Sequence, residues 1–162
     1  MLFRSEAPND AEDASGVPFS GPEKALVQAM VQSLSPPQKS ASRSMPSVVM
    51  VNALKCRPPA QRNPSAQELA QCRPYLWRQI ALLKPRMVLA MGRLAAQALL
   101  AEDLLEAATQ PLSHWRSNVH QVQGVPVVVT FHPSYLMRTP ADKAKAWEDV
   151  CLALDHLDKH TD

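Results

Sequence analysis

The sequence predicts an α/β protein in which helices cover both faces of a mostly parallel sheet, a three-layer α/β/α sandwich. Short apolar runs rich in β-branched residues alternate with stretches of helical spacing, the order typical of parallel sheets. The run 127–131 leads directly into His132-Pro133, and the proline keeps His132 out of helical geometry. The chain has 162 residues, of which 46% are hydrophobic. This length and composition predict a single domain, 1–162, with a substantial core.

Four strands and the helices between them follow from the apolar spacing. The predicted strands comprise residues 1–3, 48–51, 87–91 and 127–131. The predicted helices comprise residues 23–34, 66–83, 93–100, 103–108 and 140–157. Ser65 and Glu68 form a capping box for the second of these helices, and Pro74 is expected to kink it. Ser134 is expected to cap a short helical segment, 135–138.

Two segments connect these elements without periodic apolar residues. Residues 5–21 are predicted to be a loop. Residues 35–47 carry three prolines and several serines, which predicts a flexible loop within the domain. So little of the first strand precedes residue 5 that we expect upstream sequence to be missing, an N-terminal truncation.

Composition argues against several functional classes. No apolar stretch approaches the roughly 20 residues that span a bilayer, and no secretory signal opens the chain, so no membrane partner is expected. The three cysteines are an odd number, which argues against a disulfide framework and favours a cytoplasmic location. The chain lacks a Gly-x-Gly-x-x-Gly turn and a phosphate-loop lysine, so no nucleotide cofactor is predicted.

The formal charge of +2 does not by itself predict a nucleic-acid partner. Basic side chains are nevertheless concentrated in the middle of the chain, at Lys55, Arg57, Arg62, Arg73 and Arg78. This basic cluster is consistent with contacts to phosphates and equally with a solvated face.

Polar residues follow three of the predicted strands. They are Ser5-Glu6-Ala7-Pro8, Asn52 and His132-Pro133-Ser134. Because the carboxyl ends of parallel strands share one edge, these residues are expected to converge on one crevice. A carboxylate, a carboxamide and an imidazole, together with the ring of Phe19, suit a planar base better than a sugar or a peptide.

These residues belong to a series of motifs that covers nearly the whole chain. The series reads Ser5-Glu6-Ala7-Pro8-Asn9 with Glu12-Asp13, Gly16-Val17-Pro18-Phe19-Ser20-Gly21, Val51-Asn52-Ala53-Leu54-Lys55-Cys56-Arg57-Pro58-Pro59, Arg62-Asn63-Pro64, Cys72-Arg73-Pro74-Tyr75-Leu76, Met91-Gly92-Arg93-Leu94-Ala95-Ala96-Gln97-Ala98-Leu99-Leu100 and Thr130-Phe131-His132-Pro133-Ser134-Tyr135-Leu136. The order and spacing of these motifs resemble those of the uracil-DNA glycosylase superfamily. The resemblance is closest to its iron–sulfur subclass, family four. The resemblance implies an α/β/α sandwich with a central four-stranded sheet.

The resemblance implies hydrolysis of the bond between uracil and deoxyribose in DNA, with the base taken out of the stack. Uracil-containing DNA would be the partner of a monomeric enzyme. By similarity, Phe19 would stack on the flipped base and Asn52 would read its N3–H and O4. His132 would donate to O2 as the bond breaks, and Glu6 would orient the attacking water.

The same resemblance assigns residues around the base. Backbone amides near Ala7 and Pro8 would line the pocket, and Ser134 with Arg138 would hold a phosphate. Glu12 and Asp13 are interpreted as surface acids, with a supporting role behind the site as the alternative for Glu12.

Each principal assignment has a structural alternative. Glu6 is also interpretable as a solvated loop acid, since many superfamily relatives use an aspartate one position later, where this chain has Ala7. Phe19 is also compatible with a core position, and Asn52 with a turn in which it satisfies backbone groups. Arg138 is equally interpretable as a helix-end charge.

The chain departs from the family pattern in two places. Ser5 and Asn9 stand where the usual motif, Gly-Glu-Ala-Pro-Gly, has its flanking glycines. The family binds a [4Fe–4S] cluster through four cysteines, two of them in a Cys-x-x-Cys pair that this chain lacks. Cys56 and Cys72 match the other pair, so the resemblance implies half of a cluster site, with Cys151 as a buried apolar side chain. Either an upstream segment is missing or the protein functions without the cluster.

The sequence is therefore compatible with three functions. The leading hypothesis is a DNA repair glycosylase specific for uracil. The alternative is a catalytically weak or inactive protein of the same fold that binds DNA or another protein, as the altered glycines and the missing cysteine pair suggest. A third is a glycosylase that accepts another base, such as hypoxanthine or xanthine.

Overall fold

The computed structural model describes residues 2–5, 8, 10–34, 47–55 and 58–159. Five strands form one sheet: β1 (Leu2–Ser5), β2 (Val49–Asn52), β3 (Val88–Met91), β4 (Val119–Val122) and β5 (Val125–Thr130). They lie in the order β2-β1-β3-β5-β4. The pairs β1–β2, β1–β3 and β3–β5 are parallel, so the mostly parallel sheet is confirmed.

The predicted number of four strands is wrong, because β4 adds an antiparallel strand at the edge beside β5. This strand carries only two apolar residues, Val119 and Val122, so its pattern is too weak to predict a strand. A tight turn joins it to β5, in which Gln123 and Gly124 both have positive φ, 52° and 77°. Two-residue hairpin turns of this kind usually carry Asn-Gly or Asp-Gly, and Gln-Gly is a weaker signal.

Seven α-helices are found in the described part of the chain. They are α1 (Asp10–Ser15), α2 (Lys24–Ser33), α3 (Ala66–Leu83), α4 (Arg93–Leu100), α5 (Leu104–Ala107), α6 (Pro133–Arg138) and α7 (Lys143–Lys159). The capping box of α3 is confirmed, since the Ser65 hydroxyl accepts from the Glu68 amide and the Glu68 carboxylate accepts from the Ser65 amide. None of these helices has both the length and the apolar character needed to cross a membrane.

Two predictions, of a loop and of a helix, need correction, and a third lies almost wholly outside the described residues. The predicted loop 5–21 contains α1, which is too short and too polar to show helical apolar spacing. The last helix begins at Lys143, because Pro140 starts a separate 3₁₀ turn, Pro140–Asp142. Of the predicted flexible loop 35–47, residues 35–46 lie outside the described residues.

The sheet separates two apolar clusters, which confirms the three-layer sandwich. Alternate residues of β3 enter different clusters, Val88 and Ala90 on one face and Leu89 on the other, as the period of a strand requires. The first cluster includes side chains of α3 and α4, and the second includes side chains of α2 and α7.

Strand register brings the predicted site residues to one edge of the sheet. Ser5 lies opposite Asn52 where β1 and β2 end, and Met91 lies opposite Thr130 where β3 and β5 end. At this edge Gly92 adopts a φ of 95° that turns the chain into α4, and its amide donates to the Thr130 carbonyl at 2.8 Å.

Candidate active site

His132 lies between β5 and α6 and caps the helix. Its backbone is extended, with φ −67° and ψ 137°, and Pro133 is the first residue of α6. The ring nitrogen Nδ1 accepts a hydrogen bond from the Ser134 amide at 3.2 Å. The prediction that Ser134 caps this segment is therefore wrong. The helix begins at Pro133, one residue before Ser134, and the side chain that caps it is His132.

This capping bond determines which ring nitrogen of His132 carries the proton. A nitrogen that accepts a hydrogen bond is unprotonated, so the neutral ring has its N–H at Nε2. The side chain is half-buried and lines an open cleft at the carboxyl edge of the sheet. Nε2 is therefore the ring nitrogen from which His132 can donate a hydrogen bond to a bound molecule.

Phe19 approaches His132 from the chain between α1 and α2. The centres of the two rings are 6.3 Å apart and their planes are tilted by 32°. Phe19 is 3% exposed and belongs to the apolar cluster beneath α2 and α7, as the core interpretation predicts. It is thus a core residue that also contacts the predicted site.

Glu12 holds this part of the chain in place. Its carboxylate accepts a hydrogen bond from the backbone amide of Phe19, and the side chain is 4% exposed. The interpretation of Glu12 as a surface acid is wrong, whereas Asp13 is exposed as expected. Phe19 has a φ of 57°, unusual for a residue with a large side chain, and the bond to Glu12 helps to hold it there.

Asn52 is the last residue of β2 and lies at the same edge as His132. Its side chain is half-buried. The turn that follows is fixed by Lys55, whose Nζ donates to the Asn52 carbonyl and to the Gln79 side chain, both at 2.8 Å. The backbone of Asn52 is therefore held on both sides, by the strand and by the turn.

Three of the predicted site residues, Glu6, Ala7 and Cys56, lie outside the described residues. Pro8 is described and buried. The structure thus brings Phe19 and His132 into contact. It places Asn52 at the same edge of the sheet as His132. The position of Glu6 stays a prediction.

An open cleft of about 380 Å³ lies beside His132. Two arginines line it, Arg138 in the last turn of α6 and Arg93 at the start of α4. Arg138 is exposed, and Arg93 is anchored by a bond of 2.7 Å from Nη1 to the Ala108 carbonyl. The sequence reasoning missed Arg93, although its position directly after Gly92 at a strand end was the available signal.

The aromatic residues of the cleft are Phe131 and Tyr135, whose rings stack at 5.2 Å between centres and 12° between planes. The Tyr135 hydroxyl donates to Asp142 at 2.7 Å, and this bond raises the pKa of Tyr135. Lys145 also donates to Asp142, at 2.7 Å, and chiefly through this bond the pKa of Asp142 is lowered. Tyr135 therefore stays protonated and fixed to the 3₁₀ turn that follows α6.

Part of the predicted basic cluster is used inside the fold. Arg73 lies over the Trp77 ring at 4.6 Å and donates to the Ala101 carbonyl, and burial lowers its pKa. Arg62 forms two bonds of 2.7 Å to the Glu68 carboxylate. Both side chains support α3, but only Arg73 is half-buried; Arg62 is exposed, as the solvated-face interpretation predicts.

The cysteines do not complete a four-thiolate site. Cys72 lies on α3, half-buried against the first apolar cluster, and Cys151 lies on α7. Cys151 is only half-buried, where a buried side chain was predicted. Among the described residues no three potential ligands from His, Cys, Asp and Glu lie close enough to hold a metal ion. The three cysteines of the chain cannot supply the four thiolates that a [4Fe–4S] cluster requires.

Known proteins share this sequence pattern. The family model of the uracil DNA glycosylase superfamily matches residues 1–151. A type-4 uracil-DNA glycosylase of Pyrobaculum aerophilum is 34% identical over 156 residues, which cover 94% of this chain and 75% of that protein. A type-4 enzyme of Archaeoglobus fulgidus is 31% identical, with 86% and 68% covered, and one of Thermotoga maritima is 28% identical, with 98% and 78% covered.

Proposed function

The chain belongs to the uracil-DNA glycosylase superfamily, and we propose that it is a type-4 uracil-DNA glycosylase that acts on uracil-containing DNA. The reaction hydrolyses the bond between uracil and deoxyribose and leaves an abasic site. The observation that carries this proposal is the contact between Phe19 and a His132 whose Nε2 bears the proton, at the strand edge that also holds Asn52. The alternative of an inactive binding module is not favoured, since the similar curated proteins are glycosylases.

The spacing of the sheet suits one flat base between Asn52 and His132. Two strands, β1 and β3, lie between β2 and β5, so the two strand ends are separated by three spacings of about 4.8 Å, roughly 14 Å in total. Two side chains that point toward each other across this gap leave room for one small ring between them. A carboxamide on one side and an N–H donor on the other can then both reach polar groups of that ring.

His132 would supply the main stabilisation of the departing base. As the glycosidic bond breaks, negative charge develops on uracil, and a hydrogen bond from Nε2 to O2 stabilises it. Because the hydrogen bond from the Ser134 amide restrains the ring before the base arrives, the donor needs little reorganisation during the reaction. Preorganised donors of this kind typically lower a barrier by about 3 kcal/mol.

Asn52 would select uracil over cytosine. Its carboxamide oxygen would accept from N3–H and its amide group would donate to O4, a pattern that cytosine reverses. The backbone of Asn52 is fixed by β2 and by Lys55, which supports a defined orientation of the side chain.

Phe19 would stack on the extruded base. Since its ring is only 3% exposed, stacking requires the residues that cover it to move when the base enters. The buried bond from the Phe19 amide to Glu12 would keep the backbone in place during that movement.

The remaining roles follow the family resemblance. Glu6 would orient the attacking water, with backbone amides near Ala7 and Pro8 beside the base. Ser134 and Arg138 would hold a phosphate, and we add Arg93, which lines the same cleft. Cytoplasmic location and the monomeric state stay predictions.

The [4Fe–4S] cluster is a second proposal, separate from the reaction. Cys56 and Cys72 would provide two of its four thiolates, and two further thiolates would have to come from elsewhere. Iron and acid-labile sulfide, measured per mole of protein made from a longer reading frame that supplies those two thiolates, test this proposal. About four of each would support the cluster, and neither element in folded protein would contradict it.

The function is tested by incubating the protein with a uracil-bearing oligonucleotide, single-stranded or in a U:G duplex, and cleaving abasic sites with alkali. We expect strand breaks at the uracil, and none in the matched oligonucleotide with thymine. Folded protein that cleaves no uracil-containing strand would refute the proposal.

A further inference from the structure

We propose that Arg116, anchored by Asp149, is a positioning residue that orients His132 by holding Phe131, the residue directly before it. Arg116 follows Trp115 in the connection from α5 to β4, and Asp149 lies on α7. Neither residue belongs to the motifs on which the family resemblance depends. This inference rests on the proposed function where it is tested by uracil release. The ring resonances of His132 test it without any activity.

Three bonds attach the Arg116 guanidinium to α7. Nε donates to Oδ2 of Asp149 at 2.9 Å, and Nη2 donates to Oδ1 of the same carboxylate at 3.1 Å. Nη2 also donates to the Lys145 carbonyl at 3.0 Å. The side chains are 11% and 1% exposed, so this is a nearly buried pair with bidentate geometry. Burial raises the pKa of the Asp149 carboxyl, and the Arg116 guanidinium opposes that rise.

The same guanidinium lies over the ring of Phe131, with the central carbon 4.1 Å from the ring centre. Phe131 also stacks on Tyr135, which is fixed through its hydroxyl to Asp142. The Phe131 ring is thus restrained by a cation that α7 holds and by a second ring of α6. Because Phe131 and His132 share a peptide bond, a shift of the Phe131 main chain that its held ring resists would also shift the His132 main chain.

A purely stabilising role explains this arrangement poorly. Buried ion pairs contribute little net stability compared with apolar side chains of similar size, since burying both charges is costly. A planar guanidinium with two bonds to one carboxylate does, however, fix an orientation well. The capping bond at Ser134 restrains the His132 ring, and Arg116 restrains the backbone that carries it. Catalytic groups need such precision, because a displacement of about 1 Å can slow a reaction about 100-fold.

The experiment replaces the pair with apolar side chains, Arg116→Met together with Asp149→Leu, so that no buried charge is left unpaired. Arg116→Lys is the conservative variant, which keeps the charge but loses the plane. The matched control is Arg86→Met, because Arg86 also donates to a carbonyl of α7, Leu157 at 3.1 Å, but precedes β3 at the opposite edge of the sheet. Thermal unfolding confirms that each variant is folded.

Single-turnover uracil release is expected to fall about 10- to 100-fold in the double variant. The Arg116→Lys variant should fall between the double variant and the original protein, and Arg86→Met should stay within about twofold of the original. The same changes are then made in a His132→Ala background. If Arg116 acts through His132, the double variant should slow this background by no more than about twofold. An equal loss in both backgrounds, or no loss in the first, would overturn the proposal.

A second readout is the protonation pattern of His132, followed by nitrogen-15 resonances of the imidazole ring. At a pH where the ring is neutral, the original protein should show the tautomer with its proton at Nε2, and the double variant should show a second tautomer or a broadened signal. An unchanged His132 signal in the double variant would overturn the positioning role. If the original protein releases no uracil, the proposed function fails, whereas this resonance still decides the positioning role.

Discussion

Two regions bring rings to the same place by different means. His132 arrives at a strand–helix junction, where β5 pairs with β3 and β4, Pro133 starts α6, and the imidazole caps that helix. Phe19 arrives on the short connection between α1 and α2, in a left-handed conformation held by the buried carboxylate of Glu12. The rings meet at 6.3 Å. One partner is therefore positioned by regular structure, and the other by a strained segment with a buried polar anchor.

The difference shows where conformational cost is concentrated. A residue with a Cβ in the left-handed region typically costs about 1–2 kcal/mol, which the extended backbone of His132 avoids. The Phe19 segment must offset that cost through burial of the ring and the bond to Glu12. We therefore expect the His132 region to tolerate disturbance without unfolding and the Phe19 region to couple binding to stability.

The largest effect is expected from His132→Ala. Loss of the preorganised donor should slow single-turnover uracil release by about 100- to 1000-fold. Because β5 and α6 both remain, thermal unfolding should change much less than the rate. His132→Gln, which keeps an N–H donor, should retain more activity than alanine. Equal rates for the original protein and the alanine variant would remove His132 from the reaction.

Phe19→Ala is expected to have the next largest effect. Stacking on an aromatic ring contributes about 1–3 kcal/mol per base, so uracil release at subsaturating DNA should fall about 5- to 150-fold. Phe19→Leu separates stacking from core packing, because leucine fills the apolar cluster but offers no flat face. If Phe19→Leu recovers both stability and release, Phe19 is only a core residue. Recovery of stability alone would support stacking.

The sequence predicts the His132 region better than the Phe19 region for a physical reason. The apolar run 127–131 and the proline after His132 act locally, and both leave a clear pattern in neighbouring residues. The capping role of His132 was missed because serine is the commoner capping residue, although Ser134 lies inside the first turn of α6. The Phe19 conformation depends on Glu12, seven residues away, and such a contact leaves no periodic signal.

The same reasoning explains the errors in the fold. The four parallel strands are apolar enough to be predicted, whereas β4 depends on pairing with β5 and is recognised only after folding. Arg116 and Asp149 are 33 residues apart, and nothing in the pattern around either one indicates their contact. Residues that support a site through partners distant in the sequence are therefore the hardest to predict from the sequence alone.

Glu12 offers a smaller effect, expressed in stability. In Glu12→Ala the buried amide of Phe19 loses its acceptor, which should lower the free energy of unfolding by about 1–3 kcal/mol. Glu12→Gln keeps an acceptor oxygen at the same reach and is the matched control. Urea unfolding measures both. Equal losses in the two variants would show that the charge of Glu12, and not its bond to Phe19, stabilises this segment.

The smallest effect is expected at the capping box of α3, far from both rings in the chain. The hydrogen bonds from Arg62 are the main reason that the pKa of Glu68 is lowered, from 4.5 to about 2. A lowered folded-state pKa means that the contribution of Glu68 to stability is complete above pH 4.5 and is lost as the pH falls toward about 2. The difference in melting temperature between the original protein and Glu68→Gln should therefore shrink across that interval, and it should be small throughout because the pair is exposed. A difference that stays constant from pH 7 to pH 2 would contradict this. Uracil release at neutral pH should be unchanged in Glu68→Gln, because this cap only begins a helix, whereas the cap made by His132 also directs an N–H toward the proposed base.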